Sequence, residues 1–336
     1  MRYIISQSLD PAFNQAQEEY FLKHSPFADD LMIFWITEPT CLLGKNQNTL
    51  EEINEEYVRS QGLHVVRRLS GGGCIYMDEG NLLFTFITEN RDSVGPDFER
   101  FTRPVAAALQ SMGIPAEVSG RNDILIGGRK FSGNAQYYYR NRVLHHGSML
   151  YSTNLGNLAL ALKSRPDKMA SKGVRSVRSR VTRIADHLEN PWPIGEFRDR
   201  LIREIVRSFG LEEVQRYEPT PEDLEAIEEI AEARFRNWDW NYGHSPRFSL
   251  VRSGRYPGGG VEFHLDVDKG RIREARIFGD FFSRLDISGL EEKMQGLRFE
   301  RKELETFLSG LRVDHYFGTI QAGELLECLF PAGASD

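Results

Sequence analysis

Cysteine is scarce in this chain: only Cys41, Cys74 and Cys328 occur among 336 residues, far apart and never as Cys-x-x-Cys. That spacing argues against a zinc site or a dithiol redox motif, and three dispersed thiols fit a reducing compartment. No apolar run is long enough to cross a membrane. The N-terminus opens directly on the strand-like Tyr3-Ile4-Ile5 without a signal-peptide pattern, so a cytoplasmic protein is expected. An excess of positive charge is also missing. At a net charge of −7, wholesale binding to nucleic acid is disfavoured, although a local basic site is not. There is no internal repeat and no low-complexity tract. What remains is an ordinary globular composition, 40% hydrophobic and 27% charged, in a chain long enough for two domains.

The local patterns predict a mixed α/β (α+β) protein. Residues 2–6 read as a strand. Asp10-Pro11 supplies an N-cap and a first-turn proline for a helix reaching about His24, with Phe13, Ala16, Tyr20 and the Lys23 stem facing inward. Residues 31–36 and 41–43 read as buried strands, 50–60 as one helix, and 98–112 as a second helix with Val105, Ala108, Leu109 and Met112 as its stripe. From 123 to 151 the chain reads as β-structure, in pieces at 123–126, 129–131, 135–139 and 143–151. Helices follow at 194–209 and 221–235, the second capped by Thr220 and burying Leu224, Ile227, Ala231 and Phe235. The aromatic- and turn-rich residues 237–246 mark a boundary. Beyond them, Val261, Phe263, Leu265 and Val267 alternate with polar residues, Asp268-Lys269-Gly270 turns a hairpin, and short helices complete a small unit. The expected division is therefore 1–246 and 247–336.

One stretch organises the larger part: Arg67-Arg68-Leu69-Ser70-Gly71-Gly72-Gly73-Cys74-Ile75-Tyr76-Met77-Asp78-Glu79-Gly80-Asn81. Three glycines remove side-chain bulk from one loop and let backbone N–H groups approach a ligand, and two adjacent arginines point to an anion. Read alone, the same stretch also fits a hairpin with a solvated basic flank. It is not a Walker loop, because no Lys-Ser or Lys-Thr follows and no helix opens there, and it is not a dinucleotide fingerprint. Lys130 stands on a strand between Gly127-Gly128 and Ser132-Gly133, where small neighbours leave its ammonium room to reach a ligand. His145 and His146 are adjacent on a strand, so their side chains face opposite ways: one is structural, the other faces a pocket. Cys74 reads as a small packing residue. Residues 163–183 carry eight basic side chains against the single acid Asp167, a pattern fitting either a loop that closes on an anion or a solvated basic surface.

These segments together resemble the A-type lipoate–protein ligases with a C-terminal accessory domain. The glycine stretch carries the resemblance, as do Gly120-Arg121-Asn122-Asp123-Ile124, Lys130-Phe131-Ser132-Gly133-Asn134-Ala135, His145-His146-Gly147-Ser148 and Ser171-Lys172-Gly173-Val174-Arg175. The match runs in order along nearly the whole chain. It implies a catalytic domain of the biotin/lipoate ligase type with central β-sheets and flanking helices, plus a small α+β domain. It further implies that lipoate and Mg-ATP give lipoyl-AMP and pyrophosphate, after which an acceptor lysine takes the lipoyl group. The acceptors implied are lipoyl domains of 2-oxoacid dehydrogenase complexes or the glycine-cleavage H protein. Carried over residue by residue, Lys130 is the catalytic lysine, touching both substrates. Arg68, Gly73, Cys74, Ile75, Tyr76 and Asn81 face ATP. Ser70, Gly71, Gly72 and His146 line the lipoate end, Lys172, Gly173, Val174 and Arg175 close over the adenylate, and Asp123 is the candidate for Mg2+. Two positions depart from the pattern: Met77 stands where many relatives have histidine, and Cys74 where alanine or threonine is usual. A thioether cannot donate a hydrogen bond. The competing readings are an ATP-independent octanoyl or lipoyl transferase working through a Cys74 thioester, and a lipoate-binding protein without catalysis. A biotin ligase is disfavoured because its Gly-Arg-Gly-Arg type loop is absent.

Overall fold

The structure, a computed structural model, describes residues 1–90, 96–120, 122–163, 180–212, 214–242, 250–268 and 270–331. The segment Lys172 to Arg175, expected to close over the adenylate, lies outside the described residues. Among the described residues, no helix is long and apolar enough to cross a membrane.

An eight-stranded sheet forms the frame. Its strands are β1 (Arg2–Ile5), β2 (Leu31–Trp35), β6 (Asn81–Glu89), β7 (Ala116–Ser119), β8 (Asp123–Ile126), β9 (Arg129–Tyr139), β10 (Arg142–Leu150) and β11 (Gln215–Arg216), in the order β11-β1-β2-β6-β10-β9-β8-β7. β6 shows why the central strands read as continuous apolar runs: both of its faces are covered. Leu82, Phe84 and Phe86 enter one core with helices Glu99–Ser111 and Ile194–Ser208, while Leu83 and Ile87 enter a second core beneath helix Pro11–His24. That second core also holds Leu42, Val66, Leu69 and Met77 from a three-stranded sheet in the order β4-β3-β5, made of β3 (Thr40–Leu43), β4 (His64–Arg67) and β5 (Ile75–Met77).

The order of the small sheet corrects the hairpin reading of the glycine stretch. Its flanking strands β4 and β5 do not pair with each other. Both pair with β3, β4 in parallel and β5 antiparallel, so the loop arches over the end of β3. The other differences are local. Residues 50–60 form two short helices, Thr49–Glu52 and Glu55–Ser60, because Ile53 is drawn into a β-bridge with Leu162. The two strand pieces at 129–131 and 135–139 are one strand, β9. Helix Pro11–His24 buries Asn14, Gln15, Gln17, Glu18 and Glu19 along with its apolar residues, whereas Phe13, Tyr20 and Lys23 are only partly buried. Leu224 is exposed, while Ile227, Ala231 and Phe235 pack inward as expected.

The small unit is an antiparallel sheet of β12 (Leu250–Tyr256), β13 (Gly259–Asp268) and β14 (Arg271–Gly279), with its own core of Phe263, Leu265, Ile277, Leu304, Phe317 and Leu325 among others. β12 was not expected from the sequence. This unit docks on the glycine loop. Gly279 N–H donates to Asn46 C=O at 2.6 Å, and Lys45 Nζ lies 2.9 Å from Asp286. Burial alone would raise the Asp286 carboxyl, but the Ser288 hydroxyl and the Lys45 ammonium prevail and bring it down to about 2. Phe282 packs on Phe98 and Ala135, and its ring is 3.2 Å from where a β-carbon at Gly72 would stand. The Phe281 carbonyl lies so close to Gly71 that a β-carbon there would sit 2.3 Å from it.

Candidate active site

A cavity of about 360 Å³ lies between the large sheet, the glycine loop and the docked small unit. Cross-strand register lays out its floor. Trp35 pairs with Leu83, Leu83 with Ser148, Ser148 with Gly133, and Gly133 with Asp123, and all five residues line the cavity. Four inter-strand steps make this row roughly 19 Å long. It begins at an indole and a leucine and ends at a carboxylate, so the floor is apolar at one end and charged at the other.

Lys130 reaches the charged end through a β-bulge. Ile124 pairs with Ser132 but Leu125 pairs with Lys130, leaving Phe131 as the extra residue of β9. The bulge shifts the side-chain alternation, as bulges beside functional sites do. Phe131 therefore turns into the core, fully buried, while Lys130 and Gly133, three apart, both line the cavity. Lys130 Nζ is 2.7 Å from Asp123 Oδ1. Its carbonyl accepts the Thr182 N–H at 2.9 Å, which ties this backbone to the end of the basic segment.

The apolar end is edged by a buried polar chain. Glu18 accepts hydrogen bonds from Gln15 Nε2 (3.1 Å), Trp35 Nε1 (3.3 Å) and the Thr85 hydroxyl, and contacts His146 Nδ1 at 2.9 Å. His146 Nε2 lies 2.6 Å from Ser70 Oγ, which accepts from Arg68 Nε at 3.1 Å. With acceptor-only oxygens at Glu18, this network assigns the His146 proton to Nδ1, and Ser70 then donates to Nε2. The connectivity is that of a nucleophile, base and acid in series. Ser70, however, is buried at 1% exposure and does not line the cavity, so its hydroxyl serves as a structural link.

The guanidinium groups of the two arginines of the glycine stretch are engaged by oxygens of the protein itself. Arg67 donates to the carbonyls of Gly44, Lys45, Gln47, Trp240 and Asn241 and to Thr49 Oγ1. Arg68 donates to the carbonyls of Leu42, Gly71 and Gly73 as well as to Ser70. Burial brings each guanidinium down to about 10. Both act as staples that hold the arch in shape.

The cavity collects Arg68, Gly72, Gly73, Cys74, Ile75, Asp123, Lys130 and His146 of the residues expected there. Ser70 touches it only through His146 and Arg68, its side-chain partners. Gly71 is turned against Phe281, and Tyr76 is buried in a side cluster with Cys41, Ile53 and Leu158. Asn81 is fully buried, and its side-chain amide has no hydrogen-bond partner among the described residues. Met77 is fully buried between the sheets, where a thioether suits the apolar surroundings. Cys74 packs on the side cluster with one edge toward the cavity. His145 points the other way, as the strand geometry requires. It stacks on Phe101 at 4.5 Å and is bonded to Gln136 and Asn134.

Sequence reasoning missed Gln15, Glu18, Trp35, Asn134, Arg255, Asp280 and Phe282. Trp35 carried a signal, an indole in a short buried strand. Glu18, between Gln17 and Glu19, carried none, because the donors that make its burial tolerable come from other elements.

The family model for the lipoyl protein ligase A/B catalytic domain matches residues 10–206, and that for the bacterial lipoate protein ligase C-terminus matches residues 245–329. Lipoate-protein ligase LplJ of Bacillus subtilis is 43% identical over 331 residues, 98% of this chain and 100% of the relative. The solved structure of P. falciparum LipL1 in complex with lipoate superposes with a TM-score of 0.78 at 22% identity, over 93% of this chain and 95% of that one. A solved lipoate-protein ligase A bound with ATP gives a TM-score of 0.62 at 23% identity, over 72% of this chain and 98% of that one. At these identities the two structures establish a shared fold.

Proposed function

The chain belongs to the lipoate–protein ligase family, and from that premise we propose that it activates lipoate with ATP to lipoyl-AMP and passes the lipoyl group to an acceptor lysine. The observation that carries this reading is the floor row from Trp35 to Asp123, with Lys130 at its charged end. An acyl chain fits along the apolar part, and its carboxylate then meets the Lys130 ammonium.

Adenylation needs that ammonium. A carboxylate and an α-phosphate repel each other, by roughly 4 kcal/mol for two unit charges 4 Å apart at an effective dielectric constant of about 20. Lys130 placed between them offsets this repulsion and stabilises charge developing on the bridging oxygen. The carboxylate attacks the α-phosphorus and pyrophosphate leaves. In the second step the acceptor amine attacks the acyl carbon, AMP leaves, and the amine loses its proton. The Glu18–His146–Ser70 chain holds the far end of the cavity rigid, so that the acyl chain is presented in one register. The residues expected to hold the nucleotide, Arg68, Gly73, Cys74, Ile75, Tyr76 and Asn81, are assigned on the family resemblance. The presence of Arg68, Gly73, Cys74 and Ile75 in the lining of the cavity supports this.

Among the described residues, no group of three or more histidines, cysteines or acids is placed to hold a metal. A magnesium ion brought in by ATP needs little more than a single carboxylate from the protein. Asp123, now paired with Lys130, fits that role and would hold the ion as it offsets phosphate charge. Lipoyl domains of 2-oxoacid dehydrogenase complexes and the glycine-cleavage H protein are the acceptor class proposed, and the chain is taken to divide near residue 246.

The test is lipoate-dependent pyrophosphate release by Lys130→Ala. The expected result is loss of release with unfolding behaviour unchanged. Retained release would remove Lys130 from the mechanism. ATP-independent acyl transfer that disappears in Cys74→Ser would replace the adenylate reading with a thioester one.

A further inference from the structure

Three basic side chains line the cavity among the described residues: Arg68, Lys130 and Arg255. Arg68 spends its guanidinium on backbone carbonyls and on Ser70. Lys130 is paired with Asp123 on the large sheet. Arg255 comes from the other unit, more than a hundred residues along the chain, and is paired there with Asp280. The cavity walls also carry the carboxylates of Glu18, Asp123 and Asp280. A polyanion entering such a site needs every cation that can be released to it.

Arg255 is built to be released. It sits on β12 opposite Gly260, one pair in from the tight turn between Tyr256 and Gly259. Gly258 in that turn presses on Thr319 and Ile320, so the hairpin is anchored on the small unit. Asp280 is held independently by the Gly260 N–H, to Oδ1. Arg255 meets its Oδ2 through Nη1 and Nη2, both at 3.4 Å, the outer limit of a hydrogen bond. The side chain is 44% exposed. A guanidinium on two long contacts, beside a carboxylate fixed by other means, can exchange partners without disturbing the hairpin.

We propose that Arg255 binds the phosphates of the nucleoside triphosphate, exchanging Asp280 for phosphate oxygen, so that the small unit contributes directly to the nucleotide site. This rests on the ligase reading and adds a residue to it. Lys130 and Arg255 then approach the nucleotide from different units. Nucleotide affinity comes to depend on the small unit being docked through Lys45–Asp286 and Phe282. A guanidinium suits the purpose because its fork matches two phosphate oxygens at once.

The experiment is calorimetric titration of the full chain with ATP, and separately with lipoate, for the wild type, Arg255→Gln, Arg255→Ala and Arg255→Lys. Unfolding midpoints confirm that each variant is folded. Gln keeps the unbranched stem and a neutral hydrogen-bond donor, and so remains informative if Ala perturbs the hairpin. The expected result is ATP binding weakened on the order of tenfold or more in Gln and Ala, as for loss of a charge-assisted contact. Lys should restore part of it, the salt dependence of ATP binding should become shallower, and lipoate binding should stay within about twofold. Unchanged ATP affinity in the folded Gln or Ala variant overturns the proposal, as does an equal loss of lipoate binding. Binding is read without turnover. A chain that binds ATP through Arg255 but releases no pyrophosphate would sink the ligase reading and leave this inference standing.

Discussion

The Lys130 ammonium lies over Gly133: a β-carbon added at Gly133 would stand 2.8 Å from Nζ and 2.9 Å from Cε. The smallness that the sequence shows beside Lys130 is therefore the seat of its ammonium.

Gly133→Ala should separate activity from stability. The obstructed atoms are the far end of a flexible side chain, so Lys130 can swing aside at little cost to folding. Misplacing a catalytic group by about 1 Å costs on the order of a hundredfold in rate. Pyrophosphate release is expected to fall by about that factor, with the urea midpoint nearly unchanged. Wild-type turnover in the variant would show that Lys130 works from another position.

Gly44→Ala should behave in the opposite way. Its β-carbon would lie 1.9 Å from the Gly72 carbonyl oxygen, a backbone atom that cannot step aside alone. The arch must shift, at a cost of about 1–3 kcal/mol typical of overpacking. Denaturant unfolding should show that loss, and lipoate affinity measured by calorimetry should drop with it. A variant of wild-type stability would mean that the arch is looser than its arginine staples suggest.

His145 gives the fold an acid limit. Burial, with a smaller contribution from His146, lowers its imidazole well below the ordinary value of 6.5. The unfolded chain takes up that proton near 6.5 and the folded chain does not, so the unfolded state gains on acidification. The stabilising contribution is complete above 6.5 and is lost progressively as pH falls toward the folded value. His145→Gln should flatten this dependence. Urea midpoints at pH 7.5 and pH 5.5 should differ more in the wild type than in the variant, and equal differences would assign the acid limit to other groups.

How much of this was legible depended on whether the cause was local. Lys130 and the glycines stood out because small residues crowd around them in sequence. The opposed His145 and His146 followed from strand alternation alone. The bulge at Phe131 did not: Arg-Lys-Phe-Ser-Gly reads as regular alternation, and only the register of β8 shifts it. Glu18 looked like solvent-facing helix because its donors Trp35, Thr85 and His146 lie on three strands. β3 between β4 and β5 was equally invisible, since a hairpin and an arch need the same turn residues. Arg255 and Phe282 belong to a unit whose docking no short-range pattern encodes.

The arch has one more consequence. Seven residues join Arg67 at the end of β4 to Ile75 at the start of β5. The two strand ends are two inter-strand spacings apart, roughly 10 Å, whereas the linking chain fully drawn out would cover roughly 25 Å. The loop is slack. Its present shape comes from the grip of Arg68 and the pressure of Phe282, and tension along the chain plays no part. A substrate that outcompetes those contacts can rewrite the loop while β4 and β5 keep their pairing with β3, so the site can be plastic on a scaffold that stays fixed.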